Sequence, residues 1–95
     1  MEINMPNDQK EIRIVIAQRG WVFVGEYSIE GDNVIIDNGG TIRHWGTTKG
    51  LGEIAAGGPT ETTIIDRSPR VTLHRLAVVA TIDANADKWS SYVGR

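Results

Sequence analysis

The sequence predicts a mainly β domain of the α+β class: a small antiparallel sheet, curved or closed into a partial barrel, with one short helix after the fourth strand and one short C-terminal helix. Three observations predict it. Runs rich in β-branched residues alternate apolar and polar side chains. Short links bearing glycine and asparagine separate the first four of these runs, which suits hairpins rather than crossovers. Only two segments carry apolar residues at helical spacing, and both are short.

The elements follow in order. "EIRIVIAQ" places Ile12, Ile14 and Ile16 on one face of a first strand, and Gln18-Arg19-Gly20 is a link short enough for a hairpin. "WVFVGEYSI" is a second strand, with Trp21, Phe23, Tyr27 and Ile29 on one face and Val22 and Val24 on the other. Gly25 inside it predicts a bulge or a close backbone approach. "EGDN" is a turn, "VIID" a third strand, "NGG" a tight type I′ turn and "TIRHW" a fourth strand, so the pattern is a meander.

Thr47 or Thr48 is placed to cap a helix starting near Lys49, with Leu51, Ile54 and Ala55 on its inner face. Gly57-Gly58-Pro59 ends it. Gly50 and Gly52 each weaken such a helix by up to about 1 kcal/mol relative to alanine, so it must depend on docking. "ETTIID" is a fifth strand and "RSPR" a loop. "VTLHRLAVVATID" is the longest strand candidate, and its alternation changes phase near His74-Arg75. Val71 and Leu73 share one parity, Leu76, Val78 and Ile82 the other, and a bulge reconciles them. Asp83 caps a last helix, "ANADKWSSYV", with Ala86, Trp89, Tyr92 and Val93 at helical spacing.

Composition narrows the function classes. One β-rich domain is expected over 11–95, behind a flexible polar leader, 1–10. The 40% hydrophobic content is enough for a globular core. Without cysteine there are no disulfides, no thiol catalysis and no thiolate metal site. The net charge is −2 with no basic run, which gives double-stranded nucleic acid little to bind. "MEINMPNDQKE" lacks the apolar core of a signal peptide, and no run is long enough to span a bilayer. The expectation is a soluble, cytoplasmic protein with no membrane partner.

The densest group of chemically useful side chains lies at the corner "RHWGTTK", which holds Arg43, His44, Trp45, Thr47, Thr48 and Lys49. A helix N-terminus favours anions, the hydroxyls and cations add contacts, and Trp45 and His44 offer faces for a base. A small anionic ligand such as a nucleotide phosphate fits that inventory. The plainer account is preferred: Trp45 plugs the core, Thr48 caps the helix, and Arg43 and Lys49 are solvated, because such corners need caps whatever they bind. No phosphate-loop signature is present.

Other chemistry is sparse. His44 and His74 fall on separate strands, and Asp37, Asp66 and Asp83 sit at strand ends, where acids usually mark an exit to solvent, so no metal and no cofactor is expected. Ser28, Ser68, Ser90 and Ser91 have no nucleophile-elbow context, and no enzyme is expected. The last feature is an apolar excess: the second strand and "LAVVATI" are apolar on both faces. Either helices cover both faces or another chain does. Trp21 and Phe23, with Trp89, Tyr92 and Val93 as a cover in cis or across a dimer, are the expected interface, and a homo-oligomer is the favoured outcome.

The order "GWVFVGEY", "NVIIDNGGTIRHWG", "LGEIA" and "ANADKW" resembles a family of small uncharacterised proteins of tailed phages and prophages. The likeness runs from about Ile12 to Trp89. Its anchors are Val22, Gly25, Trp45, Leu51, Ile54, Ala55 and Trp89. Arg43 stands where the family pattern has a second aromatic, so the aromatic strand is thinner here. The resemblance implies a non-enzymatic phage accessory protein in the cytoplasm of an infected or lysogenic bacterial host. Joined to the apolar faces and the missing catalytic motifs, the expectation is a protein that self-associates and binds a host factor, with countering host defence as one such role. A nucleotide binder using the Arg43–Lys49 corner and a structural phage component are the alternatives. It implies no chemistry.

Overall fold

The computed structural model describes residues 11–93; the expected leader lies outside the described residues. Strands β1 (Glu11–Ala17), β2 (Val22–Glu30) and β3 (Asn33–His44) form an antiparallel meander. Helix α1 (Leu51–Gly57), strands β4 (Ile64–Arg67), β5 (Val71–His74) and β6 (Val78–Asp83), and helix α2 (Ala86–Trp89) follow. The sheet order is β4-β3-β2-β1-β6, and β5 shares the outer edge of β3 with β4. Every pairing is antiparallel.

The first hairpin forms as expected. The Ala17 N–H donates to the Trp21 carbonyl at 2.7 Å across the link. Arg19 and Gly20 take left-handed φ values of 67° and 80°. Two expectations about the next strands need correction. "VIID" and "TIRHW" are not separate, and no tight turn forms at Asn38-Gly39-Gly40: β3 runs through them for 12 residues. Asn38 has φ 55°, and the β2–β3 register shifts between Val24 and Glu26, so Gly25 and the Asn-Gly-Gly run make a bulge. The reason is steric. A Cβ on Gly39 would stand 1.8 Å from the Val24 carbonyl oxygen, and one on Gly40 2.2 Å from that of Asp66. The glycines let β2 and β4 close on β3 from both sides rather than reverse the chain.

The sheet has two cores. Ile14, Val22, Val24 and Ile42 pack against Leu51, Ile54 and Ala55 of α1 and against Trp89 and Val93. Val15, Ala17, Phe23, Val34 and Ile36 form a second cluster on the opposite face, joined by Val71, Leu73 and Val78. Both helices therefore cover the first face, and neither covers the second.

The sheet encloses the second face by curling. The expected single strand 71–83 is broken by a 3-10 turn at Arg75–Ala77, not by a bulge. Its two halves pair with opposite edges of the meander: β5 with β3, β6 with β1. On a flat sheet β5 and β6, four strand spacings apart, would be separated by about 19 Å at ~4.8 Å per strand. The step from His74 to Val78 spans at most about 14 Å. Only a strongly curved sheet lets this segment reach both edges, and the phase change in the sequence is the mark of that crossing. The sheet remains open, since β5 and β6 do not pair with each other.

The helix caps also differ from expectation. Gly50, not a threonine, occupies the N-cap of α1, with no side-chain cap. Gly58 closes the helix, its N–H donating to the Ile54 carbonyl at 2.8 Å. Asn85, not Asp83, caps α2, its Oδ1 accepting from the Asp87 N–H at 3.1 Å. Asp83 is instead consumed as the last residue of β6.

Candidate functional site

The Arg43–Lys49 corner is built by the end of β3 and a threonine-rich loop. The Thr63 hydroxyl donates to the Trp45 carbonyl at 2.6 Å, and the Thr60 hydroxyl to the Gly46 carbonyl at 2.7 Å. These bonds turn the chain out of the sheet immediately after His44. Arg43, His44, Trp45, Thr47 and Thr48 are brought together with Thr62 around an open groove of about 620 Å³. Lys49 is exposed and does not line it.

Trp45 is not a core plug: it is 42% exposed. The physical reason is that it follows the last paired residue of β3, and Trp89 already fills the space beneath α1. The anion-binding features are engaged internally. The Arg43 Nε donates to Asp66 Oδ2 at 2.7 Å, and this pairing raises the Arg43 pKa above its ordinary value. The Glu53 carboxylate accepts from the Thr48 N–H, the Thr48 hydroxyl and the Lys49 N–H at 3.0–3.2 Å. The Thr47 hydroxyl accepts from the Gly50 N–H at 3.0 Å. The chain's own carboxylate therefore stands where an incoming anion would bind.

The residues expected at an interface separate into two places. Trp89 is fully buried, and its indole N–H donates to the Ile54 carbonyl at 2.9 Å. Val93 is buried beside it, so both are core of this chain, not surface. Tyr92 stands edge-on to Trp89 with ring centroids 6.1 Å apart, and its carbonyl accepts from the Arg67 guanidinium. The curled sheet buries the second cluster within this chain.

Trp21 and Phe23 lie elsewhere, at the mouth of the second core. Their rings stack with centroids 6.0 Å apart and planes 3° from parallel. Phe23 is buried, but Trp21 is 56% exposed. Beside them opens a cleft of about 350 Å³, lined by Ala17, Trp21, Phe23, Leu73 and Ala77, with Gln18 and Arg19 as its polar, exposed members. Leu76, 71% exposed, stands in the turn that contributes Ala77. Sequence reasoning missed Ala17, Arg19, Leu73 and Ala77 as a group, since they come together only through the strand crossing. The phase change at His74-Arg75 was the one signal pointing there.

Among the described residues no group of three or more His, Cys, Asp or Glu is arranged to hold a metal ion. His44 and His74 stay apart, and the His74 Nδ1 accepts from the Leu76 N–H at 3.1 Å. No helix among the described residues is long and apolar enough to cross a membrane. Compared with known proteins, the chain matches no family model, no curated sequence and no solved structure. Of the residues that carry the phage-protein resemblance, Val22, Leu51, Ile54, Ala55 and Trp89 all sit in the first core. Gly25 sits at the bulge and only Trp45 is exposed, so the resemblance tracks what makes the fold more than what the surface does.

Proposed function

We propose that the chain is a non-enzymatic binding domain that works by docking a protein partner in the Trp21–Phe23 cleft. One observation carries this reading. A large aromatic side chain is left half in solvent, held flat on a second ring, at the edge of an apolar cavity that continues the core. Rigid, exposed tryptophans beside apolar pockets are the side chains that dominate protein interfaces. The cleft is at the small end of ligand cavities and suits one or two anchoring side chains rather than a cofactor. Taken with the resemblance to phage and prophage proteins, the partner is a host factor met in the bacterial cytoplasm, and a second copy of the chain is the other occupant of the same cleft. The Arg43–Thr48 groove has less support as the working site, because Asp66 and Glu53 already hold its cationic and amide donors.

A photo-crosslinking residue at position 21, with a control at the exposed Ile29, tests this in bacterial cells expressing the chain. A defined adduct formed from position 21 and not from position 29 is the expected result. Equal capture from both positions, or none from 21, would overturn the cleft as the working surface.

A further inference from the structure

Arg19 is the clue to what the cleft recognises. Each other arginine among the described residues has a partner inside the chain. Arg13 meets Glu11 and Asp83, Arg43 meets Asp66, Arg70 meets Asp37, Arg75 meets Asp32, and Arg67 donates to the Tyr92 carbonyl. Arg19 has none. It is exposed and lines the cleft next to Trp21.

Its backbone sharpens the point. Arg19 takes φ 67°, a left-handed conformation that residues with a Cβ rarely adopt and that glycine or asparagine would fill with less strain. Folding of the hairpin gives no reason for a long cation there. A strained backbone that aims an unpaired guanidinium beside an apolar cavity is the pattern of a recognition residue. No carboxylate lines the cleft, so its only formal charge is positive.

We infer that the Trp21 cleft binds an acidic peptide segment in which a large apolar side chain lies next to carboxylates: the apolar group enters between Trp21, Phe23 and Leu73, and Arg19 takes a carboxylate through its paired N–H groups. This rests on the docking reading above and narrows it to one partner chemistry. A guanidinium presents two parallel donors to a carboxylate. The anchor supplies affinity and the charge pair supplies selection.

The test titrates the full chain with three blocked hexapeptides at low ionic strength: Asp-Asp-Leu-Phe-Asp-Asp, Lys-Lys-Leu-Phe-Lys-Lys and Asp-Asp-Ala-Ala-Asp-Asp. Binding is read from the NMR shift of the Trp21 indole N–H. The acidic apolar peptide should bind about tenfold more tightly than the basic one. That preference should shrink with added salt, and the alanine peptide should not bind. Arg19→Gly suits the left-handed backbone, so it removes the charge without endangering the fold. It should abolish the preference while weak binding of both Leu-Phe peptides remains. Trp21→Ala, followed through the backbone amide shifts of Phe23 and Leu73, should abolish binding of both Leu-Phe peptides.

Equal affinity for acidic and basic peptides, or a preference that survives Arg19→Gly, would overturn the acidic partner and leave the cleft standing. Failure of every peptide together with no crosslink from position 21 would overturn the cleft itself. A concentration-dependent dimer that Trp21→Ala dissolves would identify a second copy as the occupant and also overturn the acidic-peptide assignment.

Discussion

Trp89 joins both helices to the sheet, and its removal has a calculable cost. The side chain is completely buried among Ile14, Val24, Ile54 and their neighbours, and α2 is only four residues long. A helix of one turn has no stability of its own in water, so its position depends on this anchor. Trp89→Ala should cost about 3–5 kcal/mol, the range for emptying a buried aromatic site. For 95 residues the whole domain is worth about 5–14 kcal/mol, so this one change removes a large part of it.

Trp89→Phe separates volume from hydrogen bonding. It empties roughly 40 Å³, or about 1 kcal/mol at ~24 cal/mol per Å³. It also deletes the indole bond to the Ile54 carbonyl, but that oxygen keeps the Gly58 N–H at 2.8 Å. The acceptor is not orphaned, so the lost bond adds only about 0.5–1.5 kcal/mol. The expected total is about 1.5–2.5 kcal/mol. Urea denaturation followed by far-UV circular dichroism measures both variants, with the slope held equal to the wild type. A loss below about 1.5 kcal/mol for Trp89→Ala would refute the anchoring role. A Phe variant as damaged as the Ala variant would refute the claim that the Ile54 oxygen stays satisfied.

Three further outcomes follow from the same geometry. Gly39→Ala should destabilise by about 3 kcal/mol or more in thermal unfolding, because its Cβ meets the Val24 carbonyl rather than a movable side chain. Both Asn38→Gly and Asn38→Ala lose the exposed bond to Glu26, but Gly suits φ 55° and should stay within about 0.5 kcal/mol of wild type, whereas Ala should lose about 1–2 kcal/mol; chemical denaturation compares the two. Trp45→Ala should cost only about 1 kcal/mol by the same assay, since the ring is 42% exposed. A loss near the Trp89→Ala value would show that Trp45 belongs to the core after all.

The fold class was readable in the sequence because the signals for it are local. Alternation in β1 and β2, the Arg19-Gly20 link and the Gly58 stop each act within a few residues. The misreadings share a cause. Asn38-Gly39-Gly40 has the composition of a tight turn, and only the approach of β2 and β4 from outside decides that it is a bulge. Thr48 has the chemistry of a cap, but Glu53 reaches back and takes its donors. The corner residues other than Lys49 were gathered as expected, yet the Arg43 charge is already paired with Asp66, 23 residues away, and Glu53 takes the Lys49 backbone N–H from 4 residues on. The cleft was hidden because its walls come from strands separated by most of the chain.

The crossing of β5 into β6 has a further consequence, in time rather than space. β1 pairs with residues more than 60 positions later, Arg13 with Asp83 and Ala17 with Val78. A ribosome adds about 5–20 residues per second, so for several seconds β1 to β3 exist without their closing strand. During that interval the outer edge of β1 offers unpaired backbone groups, and Val15 and Phe23 face water. Such an edge is where newly made chains join one another by mistake. The nascent chain is thus most vulnerable to aggregation between synthesis of His44 and of Asp83, and slowing translation across that window should lower the yield of folded protein more than the same delay placed upstream of β2.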